Sequence, residues 1–118
     1  MNVEKAREYC LEKKGATESM PFDTELLVMK VMGKWFAVID LESANKISLK
    51  CDAERAIDLR ERYAAVEAAW HFNKKYWNMV RFDGDVDDRL MEEMIDHSYE
   101  EVIKKLTRKQ RQELEGMP

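Results

Sequence analysis

The side chains best suited to binding a ligand are concentrated in residues 70–82, WHFNKKYWNMVRF. This stretch contains two of the three tryptophans, one of the two histidines and three positive charges. Lysine and arginine bind phosphate groups, and tryptophan rings offer surfaces on which bases stack. The same composition is also typical of a half-buried pair of strands. The stretch therefore favours either a nucleic-acid contact or an ordinary hairpin.

Basic side chains elsewhere in the chain extend the nucleic-acid hypothesis. Lys34 lies at the tip of one expected hairpin, and Lys74 and Lys75 lie at the tip of a second. If the hairpins stand side by side, the two tips project together and can contact phosphates. The alternative is that these lysines only keep turns and sheet edges unpaired. The candidate nucleic-acid-binding residues are Lys34, Lys50, Asn73, Lys74, Lys75, Trp77 and Arg81.

The polar side chains of the same stretch are more specific in shape than a phosphate surface requires. They can fasten the turn through hydrogen bonds to the backbone, as asparagine often does. They can equally form a ligand pocket from His71, Asn73 and Trp77, with Pro21 and Phe22 as its wall. The sequence leaves both interpretations open.

Patterns for catalysis or metal binding are lacking in the sequence. Residues 83–94 begin like an EF-hand loop, but Asp88 replaces the required glycine and Met94 replaces the bidentate glutamate. His97 has a glutamate four residues away on each side, which predicts a charged surface histidine with a raised pKa. There is no nucleophile elbow and no glycine-rich phosphate loop. We therefore expect a protein that is not an enzyme and has no catalytic residue, metal ligand or cofactor.

Composition and charge limit the class of protein further. The chain has 118 residues, 45% of them hydrophobic and 37% charged, which suits one soluble domain. Its net charge of -4 and pI near 5.3 argue against a basic footprint over the whole surface. The charge is polarised, however. Residues 44–81 hold eight basic against five acidic side chains, and residues 82–106 hold three against nine.

The cysteines and the hydropathy pattern predict a cytoplasmic protein. Cys10 and Cys51 form no C-x-x-C or Cys/His cluster, so we expect both to be reduced and structural. No apolar run approaches the roughly 20 residues of a membrane span. The amino terminus also lacks the basic-then-apolar order of a secretion signal. We expect no contact with a membrane.

Local patterns predict the elements that position these residues. A helix starts after Asn2, which caps it, and ends near Lys14 before Gly15. Residues 16–25 have no period and contain Pro21, so they read as a loop, with Met20 and Phe22 under the sheet. The further predicted elements are strands over 26–32, 35–41 and 46–51, a helix over 53–63, strands over 66–72 and 77–82, and a helix from 88 to about 106 that Asp87 caps.

Turn and cap residues support these boundaries. Gly33-Lys34 suits a type II′ turn between the first two strands. Asp52 caps the middle helix, whose inward residues are expected to include Ile57 and whose arginines are expected to point outward. The order α-β-β-β-α-β-β-α predicts an α+β fold with helices packed on one face of an antiparallel sheet, the other face remaining available. Residues 1–106 would form the single domain, and 107–118 a polar, frayed tail.

Four blocks resemble the MmcQ/YjbR family of small bacterial proteins: VMGKWFAVIDLE, ISLKCDAERAIDLRERY, WHFNKKYWNMVRFDGDV and LMEEMIDHSYEEVIKKL. The resemblance covers nearly the whole chain to Leu106. Its most specific part is the pattern of His71, Asn73-Lys74 and Trp77-Asn78, followed by the blocks DGDV and IDHSY.

The resemblance implies a fold like that of CyaY, the bacterial frataxin, in which two hairpins form a double-wing DNA-binding motif. It thus implies a cytoplasmic protein that binds double-stranded DNA weakly through Lys34 on one wing and Asn73, Lys74 and Lys75 on the other. The iron binding of frataxins is not carried over, because the acidic residues here begin the last helix rather than the first. The alternative is a module for a small molecule or a protein partner, with its pocket around His71, Asn73 and Trp77.

Overall fold

The computed structural model describes residues 1–21 and 25–118. Its helices are α1 (Val3–Leu11), α2 (Ala53–Arg62), α3 (Asp88–Ile103) and α4 (Arg108–Glu115). Its strands are β1 (Ala16–Ser19), β2 (Leu26–Val31), β3 (Lys34–Asp40), β4 (Lys46–Lys50), β5 (Val66–Ala68) and β6 (Trp77–Arg81). Within the described residues the strands form a six-stranded antiparallel sheet in the order β1-β2-β3-β4-β6-β5. The predicted α+β class is confirmed.

Helix caps appear where the sequence predicts them. The side chain of Asn2 accepts a hydrogen bond from the Lys5 backbone N–H, and Asp52 accepts one from Arg55 in the same way. Asp87 caps α3 through the N–H of Leu90. These bonds satisfy donors that the first turn of a helix leaves unpaired. Three helices therefore begin at positions that the sequence determines locally.

Strand β1 was not expected, because residues 16–25 were predicted to be a loop. It pairs with β2, with Ala16 opposite Val31 and Ser19 opposite Val28. Its sequence, ATES, has little apolar alternation because it is an edge strand that buries few side chains. Met20, expected under the sheet, is 46% exposed. Phe22, expected beside it, lies outside the described residues.

The first hairpin forms as predicted, but its turn differs by one residue. Val31 pairs with Lys34, so the two turn residues are Met32 and Gly33, with φ of 50° and 77°. Two positive φ values are the mark of a type I′ turn rather than the expected type II′ turn at Gly33-Lys34. The pairing also shifts between Met29 and Lys30.

The core lies between one face of the sheet and helices α1, α2 and α3. Its largest buried side chains from the sheet include Met29, Phe36, Ile39, Ile47 and Val80, and those from α3 include Met91, Ile95 and Val102. Ile57, expected to face inward, is 54% exposed. The helix α2 instead buries Ala56 and Leu59, because its short apolar face follows only that line. Residues 107–118, expected to fray, contain α4, whose Leu114 is buried in the core.

The second face of the sheet is partly covered rather than wet. The strand predicted over 66–72 stops at Ala68, and residues 69–76 form a loop that folds onto this face. Phe72 stacks on Trp77, with ring centroids 4.8 Å apart, and meets Trp35 edge-on at 6.4 Å. We call residues 69–76 the aromatic loop. Its aromatic packing outweighs the alternation that made the stretch look like a continuous strand.

In the described part of the chain, no helix has the length and hydrophobicity needed to cross a bilayer.

Candidate nucleic-acid interface

Lysines from three parts of the chain meet at one end of the sheet. Lys34 begins β3, and Lys50 ends β4 opposite Trp77, the first residue of β6. Lys105 follows α3 and reaches the same place. The cleft at this end has a volume of about 270 Å³ and is lined by Lys34, Trp35, Lys50, Trp77, Val102 and Lys105.

Lys75 extends this group along the aromatic loop. The Nζ atoms of Lys75 and Lys105 each lie 5.5 Å from the centroid of the Tyr76 ring. Both cations therefore contact one aromatic side chain. We call Lys34, Lys50, Lys75 and Lys105 the lysine cluster.

Few acidic side chains offset the positive charges of the lysine cluster. Burial lowers the pKa of Lys50, and the neighbouring Lys105 and Lys34 lower it further, whereas Glu101 opposes them. The carboxylate of Glu101 is already paired with Lys104 at 2.6 Å. Within residues 1–21 and 25–118, no lysine of the cluster forms an ion pair. An anion placed here would relieve the repulsion among these charges.

Hydrogen bonds hold the backbone beneath the lysine cluster. The hydroxyl of Ser98 in α3 accepts a hydrogen bond from the backbone N–H of Lys50 at 2.9 Å and donates one to the carbonyl of Phe36. The N–H of Cys51 donates to the carbonyl of Tyr76 at 2.7 Å. The cluster thus stands on the ends of rigid elements, which favours a preformed site.

Other residues of the predicted DNA surface are placed differently. The side chain of Asn73 accepts a hydrogen bond from the N–H of Lys75 at 3.1 Å and so fastens the aromatic loop. The Nζ of Lys74 lies 5.5 Å from the ring centroid of Trp70, which is 69% exposed. Lys74 thus sits beside an exposed aromatic ring in the same loop.

Arg81 lies at the other end of β6. Four residue steps separate it from Trp77, a distance of about 13 Å along a strand. Its Nε is 4.0 Å from a carboxylate oxygen of Asp83. The structure therefore does not bring Arg81 together with the lysine cluster.

The residues of the predicted ligand pocket do not line one cavity. His71 lines a cleft of about 230 Å³ together with Asp40, Lys46, Ser48, Ala69, Trp70, Phe72 and Met79. Trp77 instead lines the cleft of the lysine cluster. Asn73 borders neither cleft among the described residues. Pro21 is exposed, and Phe22 lies outside the described ranges.

Asn78, the last polar residue of the family-like pattern, has an internal role. It is 1% exposed, donates to the carbonyl of Ala56 at 3.2 Å and accepts from Arg60 Nε at 2.7 Å. Arg60 also donates to the carbonyl of Lys74. This arginine, expected to point outward, instead joins α2 to β6 and to the aromatic loop.

The blocks DGDV and IDHSY also tie elements together. Asp85 accepts hydrogen bonds from the N–H groups of Ala64 and Ala65, both at 2.9 Å, and these bonds lower its pKa. In α3, Asp96 accepts from the hydroxyl of Tyr9 at 2.7 Å, and the hydroxyl of Tyr99 donates to the carbonyl of Lys14 at 2.6 Å. These blocks therefore support the fold.

The expectation for His97 is wrong. Its Nε2 accepts a hydrogen bond from the N–H of Asp52 at 3.1 Å. Burial and the charge of Arg55 lower its pKa, outweighing the opposite effects of Glu101 and Asp52. Of the two glutamates expected to raise the pKa of His97, Glu93 instead pairs with Arg55 at 2.7 Å. In the ranges that the structure describes, no three His, Cys, Asp or Glu side chains are grouped to hold a metal ion.

Two members of the site were missed by the sequence interpretation. Tyr76 stands within the stretch of residues 70–82, and its place between Lys74-Lys75 and Trp77 is a signal that could have identified it. Lys105 follows a helix, where a cation is expected for the helix dipole alone. No spacing in the sequence predicts that Lys105 lies near Lys34.

Comparison with known proteins gives a consistent result. A family model described as YjbR matches residues 11–101. The uncharacterized protein YjbR of Escherichia coli K12 is 30% identical over 112 residues, covering 94% of this chain and 95% of the relative. The uncharacterized protein YbdF of Escherichia coli O157:H7 is 27% identical over 107 residues, covering 90% and 88%.

Solved structures agree with the fold. A crystal structure of a Deinococcus radiodurans protein with a domain described as DUF419 has a TM-score of 0.90 and 36% identity, covering 99% of this chain and 89% of the other. A Pseudomonas syringae protein has a TM-score of 0.71 at 22% identity, covering 83% and 96%, which supports the fold alone.

Proposed function

This chain belongs to the YjbR family, and from that premise we propose that it is a non-enzymatic cytoplasmic protein that binds duplex DNA through the lysine cluster. One observation carries the proposal. Lys34, Lys50, Lys75 and Lys105 converge at one end of the sheet and form no ion pair among the described residues. A group of cations that form no ion pairs within the protein is suited to phosphate contacts.

The charge distribution favours binding in one orientation. The net charge of -4 repels DNA from most of the surface. The acidic start of α3, at Asp87 and Asp88, lies about 24 Å from its last residue, since the helix has 16 residues. The lysine cluster lies beside the carboxyl-terminal part of that helix, where Val102 lines its cleft. DNA would therefore approach this end, with an affinity that is weak and sensitive to salt.

Salt dependence provides the test. Each phosphate contact contributes about -0.9 to the slope of log affinity against log salt concentration, so four contacts give a slope of about -3.6. A fluorescent 20-base-pair duplex would be titrated with the protein by anisotropy at several KCl concentrations. The double variant Lys34→Gln/Lys75→Gln should bind more weakly and show a slope smaller by about 1.8.

The control is Lys5→Gln, which removes one positive charge elsewhere and is compared with each of the single variants Lys34→Gln and Lys75→Gln. The pKa of Asp88 is lowered chiefly by the Met1 amino group and also by Lys5, which places Lys5 near the start of α3. This variant should bind like the unchanged protein. Absence of binding at low salt, or an equal loss in the control, would refute the proposal.

A second candidate is a module for a small molecule or a protein partner at the cleft of His71. The observation in its favour is that Lys46, Ser48 and the exposed Trp70 share this cleft with His71. A ligand at 100 times its dissociation constant stabilises a protein by about 2.7 kcal/mol. A thermal-shift screen of metabolites should then give a hit that is lost in His71→Ala, and a screen without hits argues against this candidate.

A further inference from the structure

The cleft at the lysine cluster is a recess, and its shape limits the kind of phosphate it can accept. A phosphate within a DNA strand is flanked by a sugar on each side and carries one negative charge. A terminal phosphate monoester is joined to one sugar only and carries about -1.5 to -2 at neutral pH. It also presents three free oxygens to donors. A terminal phosphate can therefore enter a recess that a continuous strand must pass over.

The charges inside the recess match a dianion better than a single charge. Lys34, Lys50 and Lys105 all line it, and Lys105 is close enough to Lys50 for its charge to lower the pKa of Lys50. Each ammonium offers up to three donors, and hydrogen bonds between charged groups are the stronger ones. Lys75 stands outside the recess, against Tyr76, where it can contact the adjoining strand.

The volume and the walls suggest what is attached to the phosphate. About 270 Å³ is slightly below the range of roughly 300–1,000 Å³ typical of sites that enclose a whole small ligand. The space suits a phosphate and the adjoining sugar, with the base outside. Trp35 and Trp77 line the recess beside the lysines and provide apolar surface for that sugar.

We propose that the recess between Lys34, Lys50 and Lys105 binds the terminal phosphate monoester of a nucleotide. This chemistry has two sources, the 5′-phosphate at a DNA end and a free mononucleotide. The inference rests on the proposed function because it uses the same lysine cluster. It differs in assigning a distinct ligand group to the recess.

The test compares three forms of one 20-base-pair duplex: with 5′-phosphates, with 5′-hydroxyls, and with both ends closed by hairpin loops. Affinities of the full chain would be measured by anisotropy at low salt, with dAMP and inorganic phosphate as separate competitors, and the binding of dAMP alone would be measured by titration calorimetry. We expect the 5′-phosphorylated duplex to bind about tenfold more tightly than the other two, as for one additional charged hydrogen bond. In Lys105→Gln, an exposed position, this preference should disappear, whereas Lys5→Gln should keep it.

The outcomes separate this inference from the proposed function. Equal binding of all three duplexes overturns the terminal-phosphate site and leaves DNA binding standing. Binding of dAMP that is weakened in Lys105→Gln, with no duplex bound, supports the site with a free nucleotide as its source and refutes DNA binding. If dAMP and every duplex fail to bind, both proposals are refuted. Displacement by inorganic phosphate as effective as that by dAMP rejects recognition of the sugar and hence of a nucleotide.

Discussion

Asn78 and Gly84 illustrate how the residues that carry the family resemblance are used. Asn78 has both ends of its amide engaged, by Ala56 and by Arg60. Gly84 lies against Ala65, where a larger residue has no room. Neither residue therefore offers a free side chain to a ligand. At the scale of single residues, these two positions of the resemblance therefore support the fold, and the four lysines of the cluster lie in the same four blocks.

Gly84→Ala should destabilise the protein. A Cβ atom added at this position would lie 2.3 Å from the Cβ of Ala65 and 3.3 Å from its Cα. Relieving such a contact requires movement of the backbone, and overpacking of this kind typically costs about 1–3 kcal/mol. The free energy of unfolding would be measured by urea denaturation.

Gly116→Ala is the matched control for this substitution. Gly116 has φ of -81°, and the atoms nearest to an added Cβ are 3.6 Å away. This variant should therefore match the unchanged protein or exceed its stability slightly. Equal stability of the two variants would show that the contact with Ala65 does not exclude a larger residue at position 84.

At the scale of elements, α3 organises the molecule. One turn of it contacts α1 through Asp96, the cap of α2 through His97, and strands β3 and β4 through Ser98. Tyr99 adds a bond to Lys14 and packs edge-on against Phe36. The helix thereby fixes the end of the sheet on which the lysine cluster stands.

Ser98→Ala should weaken this junction. The substitution leaves the N–H of Lys50 and the carbonyl of Phe36 without their shared partner, and an unsatisfied buried polar group costs about 1–3 kcal/mol. Urea denaturation should show that loss, and the amide of Lys50 should exchange its hydrogen faster.

Ser48→Ala provides a comparison for Ser98→Ala. Ser48 is also buried, but its hydroxyl forms no hydrogen bond with any described residue. The change should therefore have little effect on stability. If Ser48→Ala proved as damaging as Ser98→Ala, the bridging role of Ser98 would be wrong.

At the scale of the whole molecule, both cysteines belong to one hydrophobic core. The core extends across the sheet and includes both Cys10 of α1 and Cys51, which follows β4. Both cysteines are unbridged and buried. Burial raises the pKa of Cys10 to about 12 and that of Cys51 to about 11, so neither forms a thiolate near neutral pH.

Thiol labelling should consequently report opening of the whole fold. With an aromatic disulfide reagent at pH 8, both cysteines should react slowly, and their rates should rise with urea in parallel with global unfolding. The rates would be measured for the single variants Cys10→Ala and Cys51→Ala. Rapid labelling of Cys10 without urea would contradict its place in the core.

The sequence by itself determined the elements whose signals are local. Caps at Asn2, Asp52 and Asp87 and the alternation of the central strands each depend on interactions within a few residues, so they could be predicted from spacing. Lys34, Lys50 and Lys75 could be named as candidates from their charge and from their places in the predicted hairpins and strands. The sequence could predict that these lysines lie close together only if the two hairpins stand side by side.

Only the tertiary structure decided how distant segments meet. It paired β1 with β2, folded the aromatic loop onto the sheet, turned Arg60 inward and separated Arg81 from the lysine cluster. It also brought Lys105 beside Lys50. These contacts join residues far apart in the chain, where no period or turn signal specifies a partner. Their outcome depends on which packing of the whole chain buries the most apolar surface while leaving the fewest polar groups unpaired.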